Sequence, residues 1–157
     1  MNLFLTNILL ALAWMAFNGE FTGENFIVGY VLGFLVLWLV ETRFGRTRYS
    51  MKMLRIINFT AFFLWELTIA NFRVAQSVIL PNRFMSPGVV AIPLSVTSPN
   101  EISLLANLIT LTPGTLSLDV STDRRTLYVH AMHVYNLDEF RSGIKNGFEK
   151  RVQEVFR

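Results

Sequence analysis

No charged residue precedes Glu20, and within that stretch Leu3 to Phe17 reads LFLTNILLALAWMAF, close to the roughly 20 apolar residues that span a bilayer core. A second apolar run, Phe26 to Val40 (FIVGYVLGFLVLWLV), follows after a short turn, Asn18 to Asn25, that carries Glu20 and Glu24 and no basic residue. Two such runs so close in sequence predict a helical hairpin in the membrane. The first lacks the basic leader and small-residue cleavage site of a signal peptide, so it is expected to remain in the mature protein. Arg43, Arg46, Arg48, Lys52 and Arg55 crowd the stretch after the second run. Because basic loops stay in the cytoplasm, the N-terminus and this cluster are expected inside and the Glu20 turn outside. At 1.5 Å per residue both spans are short, about 22 to 26 Å, which favours local thinning or shielding by other subunits. Gly29 and Gly33, one small-xxx-small step apart, offer a close approach for another helix. Glycine is also commoner in membrane helices generally, so the pair has a bland reading too.

The third stretch, Leu54 to Leu80, is apolar overall but carries Glu66 and Arg73. At 100° per residue Arg55, Glu66, Arg73 and Ser77 fall on one side, flanked by Asn58 and Gln76. Such an amphipathic helix lies in the interface with its stripe toward water, or crosses with the stripe toward partner helices. Basic residues at both ends favour the flat, cytoplasmic arrangement. Glu66, as an ionisable group in a largely apolar helix, is a candidate for proton or ion coupling; the structural alternative is a carboxylate that simply faces water.

Beyond Pro81 the composition changes. Of the 25 charged residues, 15 lie in residues 81 to 157, although the chain as a whole is 52% hydrophobic and 16% charged with mean hydropathy +0.43. An ordinary soluble domain has about a quarter of its residues charged, so a membrane part joined to a small water-facing part fits best. Pro81, Pro87 and Gly88 punctuate a linker. Val89 to Val96 reads as a strand that Pro93 confines to a sheet edge. Ser98, Pro99 and Glu101 form a helix start with a capping box. Ile102, Leu105, Leu108 and Ile109 follow at helical spacing until Pro113-Gly114 stops the helix. The run Ile102 to Leu118 is uncharged, but its capped start and Pro-Gly stop predict a buried amphipathic helix rather than a membrane span. Thr115 to Val120, with Leu116, Leu118 and Val120 on one face, and Leu127 to Met132 make a hairpin about the turn Ser121 to Arg125. Asn136 caps a last helix whose apolar face is Leu137, Phe140, Ile144, Phe148, Val152 and Val155. The expected fold is a membrane α-helical hairpin plus an amphipathic third helix, followed by a small α+β (β-α-β-β-α) domain. The parts are residues 1–42, 43–83 and 84–157.

The chemistry is sparse. Zero cysteine removes disulfides, thiolate metal sites and Cys nucleophiles. His130 and His133 lack a ligand set, and on a strand they would face opposite ways. Leu111-Thr112-Pro113-Gly114-Thr115-Leu116 lacks the lysine of a phosphate loop; it reads as a helix stop and turn, and as a rigid exposed corner for docking through Thr112, Pro113, Gly114 and Thr115. No basic run is dense enough for nucleic acid. No enzyme, cofactor or metal site is expected.

The block Glu101 to Asp119, EISLLANLITLTPGTLSLD, with Leu127 to Ala131, LYVHA, closely resembles the E subunit of the Mrp-type (Mnh/Pha) multisubunit sodium/proton antiporter. Gly29-Tyr30, Glu66-Leu67, Ala70-Asn71, Pro87 to Pro93 and the opening hairpin match as well, so the resemblance covers essentially the whole chain. It implies a bacterial plasma-membrane complex of several subunits that exchanges Na+ for H+, with large subunits carrying the path and the E subunit accessory to them. Direct participation through Glu66 is one alternative. A stand-alone membrane-anchored binding module is another.

Overall fold

The computed structural model describes residues 3–44, 48–79 and 86–156. Arg46, Leu80 and Pro81 lie outside them. The chain divides into two compact units, Met1–Ile56 and Ile57–Arg157.

In the first unit α1 (Leu3–Asn18) and α2 (Gly23–Phe44) form the expected hairpin. The inward positions of α1 are Asn7, Ala11 and Met15, a row at spacing four. Ala11 lies against Gly29 and Asn7 against Gly33 of α2, so this ridge of α1 packs into the groove that the glycines leave. A Cβ on Gly29 would stand 2.9 Å from Trp14 Cβ and 3.0 Å from the Ala11 backbone. The glycine pair thus serves the hairpin's own closure. Lipid-type side chains cover the outside: Leu5, Leu9, Phe17, Ile27, Val36 and Leu39 are all exposed. The third helix, α3 (Arg48–Ile79), is continuous over 32 residues. By length and composition, α2 over Gly23–Arg43 and α3 over Tyr49–Ile79 can cross a membrane, whereas α1 is shorter at 16 residues.

In the second unit a three-stranded antiparallel sheet has the order β1-β3-β2, with β1 at Gly88–Pro93, β2 at Thr115–Val120 and β3 at Thr126–Ala131. Pro93 sits on an edge strand, as its missing N–H requires. β1 ends there, short of Val96, because the amides of Ser95 and Val96 turn away to a carboxylate described below. α4 (Pro99–Leu111) buries Ile102, Leu105, Leu108 and Ile109 against Val90, Ile92, Leu127 and Val129, and Glu101 accepts the Ser98 N–H at 3.3 Å. The uncharged α4 run is therefore domain core. Asn136 Oδ1 accepts the N–H groups of Asp138 and Glu139 and starts α5 (Leu137–Ile144).

Two details depart from simple periodicity. A bulge between Ser117 and Asp119 leaves Leu118 without a partner on β3, so Ser117 opposes Val129 and Asp119 opposes Tyr128. The extra residue exchanges faces: Leu116 and Leu118 are exposed while Val120 packs on the core, instead of all three sharing one face. The last helix is likewise not one α-helix. A π turn at Lys145–Glu149 separates α5 from α6 (Lys150–Phe156). Phe140, Ile144, Phe148 and Val152 are spaced by four, which drifts off one face of a 3.6-residue helix, and the wider π turn absorbs the drift. Leu137 and Val155, outside that series, are not buried.

Candidate functional site

In the second unit the length of α3 from Phe59 to Ser77 presents one face to the α+β domain. Phe59, Phe62 and Phe63 pack on the core, Phe62 meets Phe148 edge-on at 5.4 Å, and the Arg151 guanidinium covers the Phe62 ring at 3.7 Å. Farther along, Ser77 Oγ and His133 Nε2 are 3.0 Å apart. The polar stripe of α3 is divided: Ser77 is buried and Glu66 half-buried, whereas Asn58, Arg73 and Gln76 are exposed as expected of a stripe that faces water. The opposite face, with Ile57, Leu64, Trp65, Phe72 and Ile79, is exposed.

Between α3 and the domain lies a cavity of about 640 Å³, within the size range of ligand sites. Glu66, Arg73 and Gln76 contribute from α3 and Glu139 from the start of α5, while Phe140 and Ile144 give it an apolar wall. Thr112 and Thr115 line it too. The turn they belong to is thus not an exposed corner: Thr112 is buried and none of the four residues from Thr112 to Thr115 is exposed. Helix termini leave carbonyls unpaired, and these threonines supply the missing donors. Thr112 Oγ1–H donates to Leu108 O at 2.8 Å, and Thr115 Oγ1 lies 2.6 Å from Ile109 O. Gly114 has φ +90°, and a Cβ there would lie 3.4 Å from Val74 Cγ2 of α3. Glycine removes the backbone strain and the crowding together.

A family profile described as Na+/H+ ion antiporter subunit matches residues 7–155. The chain belongs to the family of Na+/H+ antiporter E subunits. The E subunit of the Na(+)/H(+) antiporter of Bacillus subtilis (strain 168) is 40% identical over 153 residues, covering 98% of this chain and 97% of that protein. Among solved structures, a chain of the Mrp complex from Dietzia sp. DQ12-45-1b is 30% identical with a TM-score of 0.51, covering 66% of this chain and 97% of that one. A chain of the membrane-bound sulfane sulfur reductase, an archaeal respiratory membrane complex, is 27% identical with a TM-score of 0.59 over 98% of both chains. The E subunits are thus a transporter family.

Three groups of this E subunit escaped sequence reasoning. Asn7 is fully buried in the hairpin unit, and its Nδ2–H donates to Tyr49 Oη at 3.1 Å, while Tyr30 and Tyr49 hydroxyls are 3.3 Å apart. Glu41, 4% exposed, accepts the N–H groups of Tyr49 and Ser50 at 2.9 and 3.0 Å, one on each carboxylate oxygen. It caps the first turn of α3, where an anion also meets the positive end of the helix. Glu149, 2% exposed and brought inward by the π turn, accepts the N–H of Ser95 and, at 3.0 Å, that of Val96. Only Glu41 carried a sequence signal: it closes α2 just ahead of the basic cluster. Among the described residues no group of three His, Asp or Glu side chains converges to hold a metal ion.

Proposed function

We propose that this chain is an accessory, assembly-supporting member of a Mrp-type Na+/H+ antiporter complex, with its hairpin in lipid and its α+β domain at the cytoplasmic face. One observation carries the reading. Both carboxylates buried in the described residues, Glu41 and Glu149, hold pairs of backbone N–H groups. A carboxylate that relays protons must exchange partners during turnover, whereas these two are fixed as structural acceptors. Among the described residues of the hairpin Glu41 is the one buried ionisable side chain, so transport falls to other subunits. Removing residues 84–157 is expected to abolish assembly of the complex; normal assembly and antiport after that deletion would sink the proposal.

The cytoplasmic placement has its own support. The face of α3 from Phe59 to Ser77, about 27 Å at 1.5 Å per residue, is turned to the domain, and its other face is apolar. A helix arranged so suits the membrane surface, apolar side down. Cysteines introduced at Ser86 and Thr122 of this cysteine-free chain should react with a membrane-impermeant thiol reagent only in inside-out vesicles.

A second reading gives Glu66 a direct role, favoured by its place in the cavity beside Arg73. Glu66→Gln and Glu66→Asp would then shift the pH profile of antiport in assembled complex, and an unchanged profile would reject it.

A further inference from the structure

The cavity between α3 and the domain holds more charge than an accessory role needs. Glu66, Arg73 and Glu139 all line it, and the ion pairs among the described residues are elsewhere, at Arg141–Asp138 and Lys145–Glu149. Glu66 and Arg73 are two turns apart, about 10 Å along α3, too far to neutralise each other. Among the described residues Glu66 and Glu139 belong to no group of three His, Asp or Glu side chains that could hold a metal ion. The complementary ligand is therefore one whose positive and negative charges are themselves separated. The wall formed by Phe62, Phe140 and Phe148 adds a second requirement, an apolar part. A water-soluble zwitterion leaves that wall unused. A lipid uses both; its acyl chains leave through the open side marked by exposed Arg73, Gln76 and Glu139, because the exposed apolar face of α3 (Ile57, Leu64, Trp65, Phe72) lies on the other side of the helix.

We propose that this cavity binds a zwitterionic phospholipid of the phosphatidylethanolamine type. Arg73 meets the phosphate, Glu66 and Glu139 meet the ammonium, and the glycerol end with its first acyl carbons lies against the aromatic wall. The charge logic is that of paired hydrogen-bonded ions, each contact stronger than a neutral one. The inference rests on the membrane-surface placement of α3 under the proposed function but not on the accessory role; thiol labelling of vesicles tests the placement and lipid retention tests the inference, so the two failures are distinguishable.

The test is native mass spectrometry of the full chain in detergent. Phosphatidylethanolamine and phosphatidylglycerol of identical acyl chains are offered separately, with phosphorylethanolamine as the soluble headgroup. The unaltered chain should retain phosphatidylethanolamine about tenfold over phosphatidylglycerol, and the soluble headgroup should not be retained. Arg73→Gln should weaken both lipids. The double variant Glu66→Gln/Glu139→Gln should remove the preference by weakening phosphatidylethanolamine, with phosphatidylglycerol retained at least as well as before, and Glu24→Gln at the start of α2 should change nothing. Equal retention of the two lipids by the unaltered chain, a preference that survives the double variant, or equally tight binding of the soluble headgroup would each overturn the proposal. In intact complex, a photo-crosslinking side chain at Gln76 should capture lipid. Capture of another protein chain would assign the cavity to a protein segment and overturn it as well.

Discussion

His133 donates its Nε2–H to the Ser77 hydroxyl oxygen, 3.0 Å away. The direction follows from proton count: a serine hydroxyl has one hydrogen, and Ser77 donates it to the Arg73 carbonyl at 2.8 Å. Nε2 is therefore the ring nitrogen that carries the hydrogen of this bond. Nitrogen-15 NMR of the labelled full chain should show a proton on Nε2. Ser77→Ala and His133→Ala should each lower stability by about 1 kcal/mol, and the double variant should cost less than their sum in thermal unfolding.

Gly33 and Asn7 form a lock between α1 and α2. A Cβ on Gly33 would collide with Asn7 Oδ1, an atom that itself has no hydrogen-bond partner among the described residues. Gly33→Ala should cost about 1 to 3 kcal/mol by overpacking. Asn7→Ala removes both the obstacle and a buried polar group with an unpaired oxygen. Gly33→Ala should therefore be tolerated far better in the Asn7→Ala background, read as a favourable coupling in a double-mutant cycle of detergent stability. Strict additivity would show that the two side chains do not meet.

Glu149 carries two amides that nothing else nearby accepts. Glu149→Ala should strand the Ser95 and Val96 N–H groups and cost about 1 to 3 kcal/mol for each left unpaired. Hydrogen exchange should show those two amides exposed ahead of the rest of the domain. Glu149→Gln, which keeps one acceptor oxygen, should be milder.

Asp123 organises the β2–β3 turn. The Ser121 hydroxyl donates to it at 2.6 Å and the Arg125 N–H at 3.1 Å, and these bonds, the hydroxyl first, hold its carboxyl below the usual 3.8. A carboxyl with a depressed folded value adds stability above its unfolded pKa and loses it as pH falls through the folded one. Carbon-13 NMR should place the Asp123 midpoint below 3.8, and Asp123→Asn should lose only the part of the acid dependence that belongs to this turn.

The element order was legible because its signals are local. Ser98-Pro99-Asn100-Glu101, Pro113-Gly114 and Asn136 mark helix ends through bonds to their own neighbours, and α4, α5 and the β2–β3 hairpin appear where those residues put them. Gly29 and Gly33 announced a close helix approach, and the helix that fills it is α1 of the same hairpin. What could not be read depends on residues distant in sequence. Glu41 and Glu149 look like surface carboxylates until their amide partners, 8 to 54 positions away, are known. The polar stripe on α3 reads the same whether water or a domain lies beneath it, and Thr112 reads as exposed because turns usually are. The bulge at Leu118 defeats alternation because one inserted residue reverses every facing after it.

The π turn near the C-terminus makes segment length, more than residue identity, the adjustable quantity there. Ile144 and Val152 are eight positions apart and both buried. A plain α-helix would bring them onto one side with seven, which is nearly two full turns. The segment thus behaves as an α-helix carrying one spare residue, and that residue is what turns the Glu149 carboxylate beneath the Ser95 and Val96 amides. A chain one residue shorter at exposed Asn146 would keep its apolar seam and lose its grip on the end of β1.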